Sequence, residues 1–125
     1  MSLSAPQDSS LTLTITAAGG LLIVRLRGPA GMFDAERLRQ RLAELAEAET
    51  PKIVLDLSEL TFLNSAGLGA FIAAHRRCRE RGGMLCLVRP REAVAQLLRV
   101  THLDRLIPVY PTLEAARANL GVSSA

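Results

Sequence analysis

A short, almost wholly apolar run in the middle of the chain limits the possible folds most. Residues Ile53–Leu57 read Ile-Val-Leu-Asp-Leu, which is typical of a strand covered on both faces of a sheet. A helical pattern precedes this run, with Asp34 as its expected N-cap and Pro51 beyond its end, and another runs from Ser65 to Gly82-Gly83. Because helices separate the strands, crossover connections are required, and the sequence predicts a largely parallel sheet with helices packed against it.

Further strand patterns flank this central strand. They are expected at about Leu11–Ala17, Leu21–Leu26, Met84–Val88 and Ile107–Tyr110. The dipeptide Gly19-Gly20 is a hairpin signal, so the first two strands should pair antiparallel. We expect Gly28-Pro29-Ala30-Gly31 to break the chain and Leu60–Asn64 to form a connection. Pro90 suits the start of a third helix, and a fourth is expected around Leu113 to Leu120. The predicted fold class is therefore α/β, with a mostly parallel central sheet, an N-terminal antiparallel hairpin and about four helices.

The length and composition fit one globular domain. The chain has 125 residues, of which 49% are hydrophobic and 22% charged, and such a chain builds one core without disulfides or metals. We expect residues 1–10 to be a flexible leader, residues 11–120 the domain and residues 121–125 a C-terminal tail. The start of the chain lacks the pattern of a secretion signal, and no run reaches the roughly 18 apolar residues of a membrane span. A cytoplasmic protein without membrane insertion is therefore expected.

The sequence lacks the residues of several common functions. Aromatic residues make up 3% of the chain and the net charge is +3, so neither a base-stacking platform nor a strong phosphate-backbone surface is expected. Cys78 and Cys86 have neither the spacing of a redox pair nor that of a zinc site. Asp56 is similar in position to a response-regulator phosphoacceptor, but Lys52 is the only lysine, so hydrogen bonding to loop N–H groups is the expected role of Asp56. We expect no cofactor, no metal and no direct nucleic-acid partner.

A hydrolase site is also incomplete in this chain. Residues Leu63 to Gly67 resemble a nucleophile elbow around Ser65, but Leu63 stands where G-x-S-x-G has its first glycine. His75 lies about three helical turns beyond Ser65, and His102 has no predicted approach to it. The sequence therefore argues against an enzyme.

The segment Asp56–Gly69 carries the most specific signal. It reads Asp-Leu-Ser-Glu-Leu-Thr-Phe-Leu-Asn-Ser-Ala-Gly-Leu-Gly and connects the buried strand to the helix that begins at Ser65. This pattern resembles the signature of STAS domains, especially of bacterial anti-sigma factor antagonists, which have a D-L-S strand end, an aromatic residue and a Ser-x-Gly-Leu-Gly helix start. The resemblance extends over about Leu11–Leu120 and includes the Gly19-Gly20 hairpin and the Gly82-Gly83 turn.

The resemblance implies a non-enzymatic protein-binding regulator. Such an antagonist captures an anti-sigma factor or related serine kinase and so frees a sigma factor, until that kinase phosphorylates the antagonist. Ser65 occupies the phosphoacceptor position, and a helix N-terminus accommodates a phosphate well. The implied partner-binding residues lie before the first long helix and at the start of the second: Gly31, Met32, Phe33, Asp34, Asn64, Ser65, Ala66, Gly67, Leu68 and Gly69.

Other interpretations of these residues stay open. Ser65 is also a favoured N-cap, and Gly67 and Gly69 also suit close packing. The family usually has an aspartate where this chain has Asn64 and an acidic loop where it has Gly28–Gly31. The alternative function is constitutive docking, either as a STAS scaffold or as the accessory subunit of an ABC-type transport complex. In either case we expect a monomer or a weak dimer.

Two further groups of residues have alternative interpretations. Met32 and Phe33 either contact a partner or form a hydrophobic staple on the helix that follows. A basic cluster near a predicted helix C-terminus forms either a solvated face or a docking patch for an acidic partner. It consists of Arg76, Arg77, Arg79 and Arg81.

Overall fold

The computed structural model describes residues 11–121, apart from the Met32 side chain. The strands are β1 (Thr12–Ala18), β2 (Leu21–Ala30), β3 (Lys52–Leu63), β4 (Met84–Val88) and β5 (Val109–Tyr110). The helices are α1 (Met32–Leu45), α2 (Ser65–Glu80), α3 (Glu92–Val100) and α4 (Leu113–Leu120), with a short 3₁₀ turn at Leu103–Arg105. The expected leader, residues 1–10, and residues 122–125 of the expected tail lie outside the described residues.

The strands form one five-stranded sheet in the order β1-β2-β3-β4-β5. β1 and β2 pair antiparallel, and each later pair is parallel. The predicted fold class is confirmed, including the N-terminal hairpin and the helical crossovers that the parallel strands require. No helix within residues 11–121 combines the length and the hydrophobicity of a membrane span.

Helices cover both faces of the sheet. The larger core lies under α1, α2 and α3, where Leu38, Phe71 and Leu98 pack with Ile53, Leu55 and Leu57 of β3. The smaller core lies under α4, where Ala116 and Leu120 pack with Val54 and Cys86. Successive residues of a strand point to opposite faces, so the apolar run of β3 supplies both cores, as the sequence predicts.

β2 is longer than the sequence predicts. It continues through Gly28 and Pro29 to Ala30, so the expected break at Gly28–Gly31 is wrong. The register against β3 shifts between Gly28 and Pro29. An irregularity of this kind lets a strand include a proline, because a residue without an N–H cannot donate to a regular ladder.

β3 also extends further, to Leu63, where a connection over Leu60–Asn64 is expected from the sequence. The ends of the two strands remain paired, with Ala30 opposite Leu63. Because β2 and β3 are parallel and end at the same edge of the sheet, α1 and α2 begin side by side. This arrangement positions the candidate site.

Two helix starts differ from the expected ones. Gly31, not Asp34, is the N-cap of α1; Asp34 is the third helical residue, and its carboxylate accepts the Gly31 N–H at 3.2 Å. α3 starts at Glu92 with Arg91 as its N-cap, so Pro90 precedes the helix. In the first case the carboxylate still satisfies an N–H at the helix start, but from inside the helix.

Candidate functional site

The start of α2 is capped by Asn64, which leaves Ser65 without a capping role. The Asn64 side-chain oxygen accepts the Gly67 N–H at 2.9 Å, and the Asn64 carbonyl accepts the Leu68 N–H at 3.0 Å. Ser65 is the first residue of the helix and is exposed, and its hydroxyl makes no hydrogen bond within residues 11–121. The alternative that Ser65 serves as the N-cap is therefore wrong.

The electrostatic environment of Ser65 favours an anion. The first N–H groups of a helix have no acceptor within the helix, and the helix dipole places positive potential there. The first turn of α2 contains no acidic residue, and its cap, Asn64, is neutral. A phosphate on Ser65 would therefore meet N–H donors and no carboxylate within this turn.

The next residues of α2 divide between the core and the surface. A β-carbon on Gly67 would lie 2.5 Å from Leu63 Cδ1, so this glycine permits close packing of α2 on the end of β3. Leu68 is buried in the larger core. Ala66 and Gly69 are exposed, and a β-carbon on Gly69 would meet no atom within 4 Å. Only Gly67 thus fits the close-packing interpretation.

A groove of about 370 Å³ runs between α1 and α2 beside Ser65. Its α2 wall consists of Ala66, Gly69, Ala70 and Ala73, and its α1 wall consists of Ala35, Glu36 and Arg39. The contribution of α1 is not predictable from the sequence, because only the packing of the two helices brings these residues together. The spacing of small residues along α2 was the one available signal.

The start of α1 holds its acidic residue internally. Asp34 accepts the Leu11 N–H at 3.3 Å, the Gly31 N–H at 3.2 Å and the Arg37 guanidinium at 3.0 Å. Arg37 also donates to the Leu11 carbonyl. Asp34 thus fastens the beginning of β1 to α1, and its carboxylate is already committed to these partners.

Phe33 is directed to the surface. Its side chain is 91% exposed, so it does not staple the helix. The staple positions on either side of the cap are instead occupied by Ala30 and Ala35, which are both buried. The Met32 side chain lies outside the described residues. Of the two alternatives for Phe33, the contact with a partner stays a prediction.

A second surface groove lies at the end of β3 and is lined mainly by apolar side chains. Phe62 is 51% exposed and borders a groove of about 240 Å³ between the end of β3 and α3. Thr61, Leu63, Ala93, Val94 and Leu97 complete its lining. In the sequence Phe62 stands out only as the aromatic residue of the motif, and no local pattern predicts this groove.

Asp56 has a structural role, as expected, but its partners differ from the expected loop N–H groups, because β3 continues past it and two arginines supply most of the donors. It is 2% exposed, and its carboxylate accepts the Ser58 N–H at 3.0 Å, the Arg25 Nε–H at 3.2 Å and a guanidinium N–H of Arg89. Burial raises the pKa of Asp56, but the Arg89 guanidinium and the Ser58 hydrogen bonds lower it by more, so the pKa lies below its ordinary value. The charged carboxylate thus ties β2, β3 and the residue after β4 together.

The other titratable candidates are held in the core. His75 is buried, its Nδ1 lies 3.1 Å from the Leu85 carbonyl oxygen, and burial lowers its pKa. It is thus bound to β4 and not to Ser65. Cys78 and Cys86 lie in the two separate cores, and burial raises their pKa values to about 11 and about 12. Residues 11–121 contain no cluster of side chains that would hold a metal ion.

Two of the four arginines in the basic cluster near the end of α2 are paired. Arg77 donates to Glu47 at 2.8 and 2.9 Å and to Glu80 at 3.1 Å. Arg81 donates to the Ala48 carbonyl at 3.0 Å. These contacts fasten α2 to the segment after α1, and the exposed Arg76 and Arg79 make no ion pair with any residue of 11–121.

Comparisons with known proteins agree with this geometry. BtrV of Bordetella bronchiseptica, a provisional anti-sigma factor antagonist, is 30% identical over 108 residues, which cover 86% of this chain and 93% of BtrV. The crystal structure of an anti-sigma factor antagonist from Mycobacterium paratuberculosis has a TM-score of 0.79 at 30% identity and covers 90% of this chain and 96% of its own.

Two structures of SpoIIAA, one unphosphorylated and one of the phosphorylated Bacillus protein, share the fold at 18% identity, with TM-scores of 0.72 and 0.64. They cover 92% and 88% of this chain and 100% and 98% of their own. The family model described as the STAS domain matches residues 12–116, from β1 into α4. The chain therefore belongs to the STAS domain family.

Proposed function

We propose that this protein is an anti-sigma factor antagonist that binds an anti-sigma factor or related serine kinase, and that phosphorylation of Ser65 ends the binding. The observation that carries the proposal is the exposed Ser65 hydroxyl, which makes no hydrogen bond within residues 11–121 and lies on the first residue of a capped helix. The names of the relatives supply the class of partner. The protein acts in the cytoplasm, as a binding protein without catalytic activity.

The partner contacts a docking face made of Phe33 and Arg39 on α1 and of Ser65, Ala66 and Gly69 on α2. All of these residues are exposed, and α1 and α2 begin side by side. The groove between the two helices gives this face a concave centre, and Phe33 gives it an exposed aromatic side chain of the type that anchors interfaces.

Four other predicted partner residues hold the docking face in place from beneath. Asn64 caps α2, Gly67 packs on Leu63, and Leu68 is buried in the core. Asp34 is committed to α1 and to the start of β1. Replacing these residues would therefore disturb the shape of the face and would remove few direct contacts.

Phosphorylation acts on this face through charge. A phosphate adds about −1.5 to −2 charges at pH 7, and the N–H groups of the first turn of α2 stabilise it without unwinding the helix. The neighbours Ala66 and Gly69 carry no charge, and Arg39, the cation of the docking face, belongs to α1 on the other wall of the groove. The buried dianion would thus cost desolvation energy, and the partner would dissociate while the fold stays intact.

Intact-mass measurement after incubation with ATP and the purified anti-sigma factor kinase of the same organism tests this function. We expect one added phosphate, which fragmentation assigns to Ser65. Ser65→Ala should take up none, whereas the control Thr61→Ala, at an exposed position on β3, should still be phosphorylated. An active kinase that leaves Ser65 unmodified but binds the protein tightly would contradict the switch and favour the constitutive scaffold.

A further inference from the structure

Within the described residues, β1 forms an uncovered edge of the sheet. It pairs with β2 alone, and the opposite edge, β5, has only 2 residues. The side chains of β1 are exposed or half-buried along its whole length. Within residues 11–121 no other segment pairs with its outer side.

The hairpin turn determines which backbone groups of β1 face outward. Gly19 and Gly20 have φ angles of 60° and 81°, as in a two-residue type I′ turn, so the pair Ala18–Leu21 that closes the hairpin is hydrogen-bonded. Hydrogen-bonded and non-hydrogen-bonded pairs alternate along an antiparallel ladder. The outward N–H and C=O groups therefore belong to the intervening residues of β1, which are Leu13, Ile15 and Ala17.

The sequence of β1 lacks the features that protect edge strands. It reads Thr-Leu-Thr-Ile-Thr-Ala-Ala and contains no charged residue, no proline and no glycine. Natural edge strands usually carry charged residues, prolines or bulges, which prevent pairing with another chain. Pro6 and Asp8, among the ten residues before Leu11, are of residue types that are depleted in strands.

We infer that β1 pairs antiparallel with β1 of a second copy of this chain, which joins the two sheets into one. A two-fold axis at Ile15, the middle residue of β1, places Ile15 opposite its own copy, Leu13 opposite Ala17 and Thr14 opposite Thr16. Leu13, Ile15 and Ala17 then exchange their outward backbone hydrogen bonds. Apolar side chains meet on one face and threonines on the other, which are favourable cross-strand pairs, and no like charges meet.

The extent of the contact predicts a weak, reversible dimer. Each copy contributes mainly the 7 residues of β1, whereas stable interfaces use roughly 20–30 residues from each partner. We therefore expect a dissociation constant above about 1 μM. The two-fold axis directs the Ser65 ends of the two sheets in opposite directions, so both docking faces stay accessible. The inference does not depend on the proposed function.

Sedimentation velocity of the full chain over a range of concentrations tests the pairing. The wild type should shift from monomer to dimer as concentration rises. Thr14→Lys combined with Thr16→Lys places lysines opposite lysines in the dimer and should raise the dissociation constant about tenfold or more. Thr14→Glu combined with Thr16→Lys places opposite charges together and should tighten the dimer. Both positions are exposed, so these changes leave the core intact.

The control is Gln96→Lys combined with Ala118→Lys, which adds charge at exposed positions on α3 and α4 and should dimerise like the wild type. A wild type that stays monomeric up to about 1 mM, or a double-lysine variant of β1 that dimerises unchanged, would overturn the inference. Dimerisation that appears only when residues 1–10 are removed would also overturn it, because that segment would then be the occupant of the edge.

Discussion

Replacing Asn64 with alanine should destabilise the protein, because Asn64 supplies the cap of α2. The variant loses the hydrogen bond from the Gly67 N–H to the Asn64 side chain, which is 2.9 Å long. The loss of such a cap costs about 1 kcal/mol of unfolding free energy. For a domain of this size, that corresponds to a decrease in melting temperature of about 4 °C.

The matched substitution at the next residue should have almost no effect on stability. Ser65 is exposed at the first helical position and makes no side-chain hydrogen bond within the described part of the chain. Ser65→Ala should therefore change the unfolding free energy by less than about 0.5 kcal/mol. Asn64→Asp keeps the acceptor and adds negative charge at a helix N-terminus, so it should preserve or raise stability.

Urea denaturation followed by circular dichroism distinguishes these variants. The expected order of stability is Asn64→Asp and wild type highest, Ser65→Ala close to them, and Asn64→Ala lowest. If Ser65→Ala lost as much stability as Asn64→Ala, Ser65 would hold the helix start together. Asn64 would then not be the cap of α2, and Ser65 would not be available for modification.

Three other predictions concern packing and pH. Gly69→Ala should raise the unfolding free energy by about 1 kcal/mol in the same assay, because alanine favours a helix and its β-carbon meets no atom within 4 Å. Gly67→Ala should not raise the unfolding free energy, because Leu63 must move to admit the β-carbon. Equal effects of the two substitutions would contradict the assignment of Gly67 to the inward face and Gly69 to the outward face. The lowered pKa of Asp56 means that its stabilising contribution is present above pH 3.8 and is lost as pH falls through its pKa in the folded state. Asp56→Asn should therefore cost about 2 kcal/mol of unfolding free energy at pH 7, because it weakens hydrogen bonds to a charged group, and should cost less in acid. A cost that does not change with pH would contradict the ion pairs. The lowered pKa of His75 means that the unfolding free energy decreases as pH falls below 6.5. In His75→Gln the urea midpoint should therefore depend less on pH in that range. An unchanged pH dependence would show that His75 does not take up a proton on unfolding.

Much of the fold was predictable because its strongest signals are local. The apolar run of β3 and the Gly19-Gly20 turn each specify one strand or one connection from a few adjacent residues. The extension of β2 through Pro29 was not predictable, because it depends on pairing with the end of β3 and on a shift in register. Proline is a reliable sign of a break only where a regular ladder is required.

The candidate site was predictable as a segment but not as a surface. The motif around Ser65 located the start of α2, yet the sequence could not assign the cap to Asn64 over Ser65, because both residue types are good caps. The contribution of Arg39 to the groove depends on how α1 packs beside α2. The exposure of Phe33 depends on Ala30 and Ala35 occupying the staple positions.

The central claim is that phosphorylation of Ser65 ends partner binding. The most direct test compares the affinity of the same purified anti-sigma factor kinase for the protein before and after this phosphorylation. Calorimetry with both forms measures it, with the far-ultraviolet circular dichroism of each form as a check on the fold. We predict that the unphosphorylated protein binds and that the phosphorylated protein binds at least about tenfold more weakly, a loss of about 1.4 kcal/mol, with unchanged helix content. Equal affinities for the two forms would contradict the account.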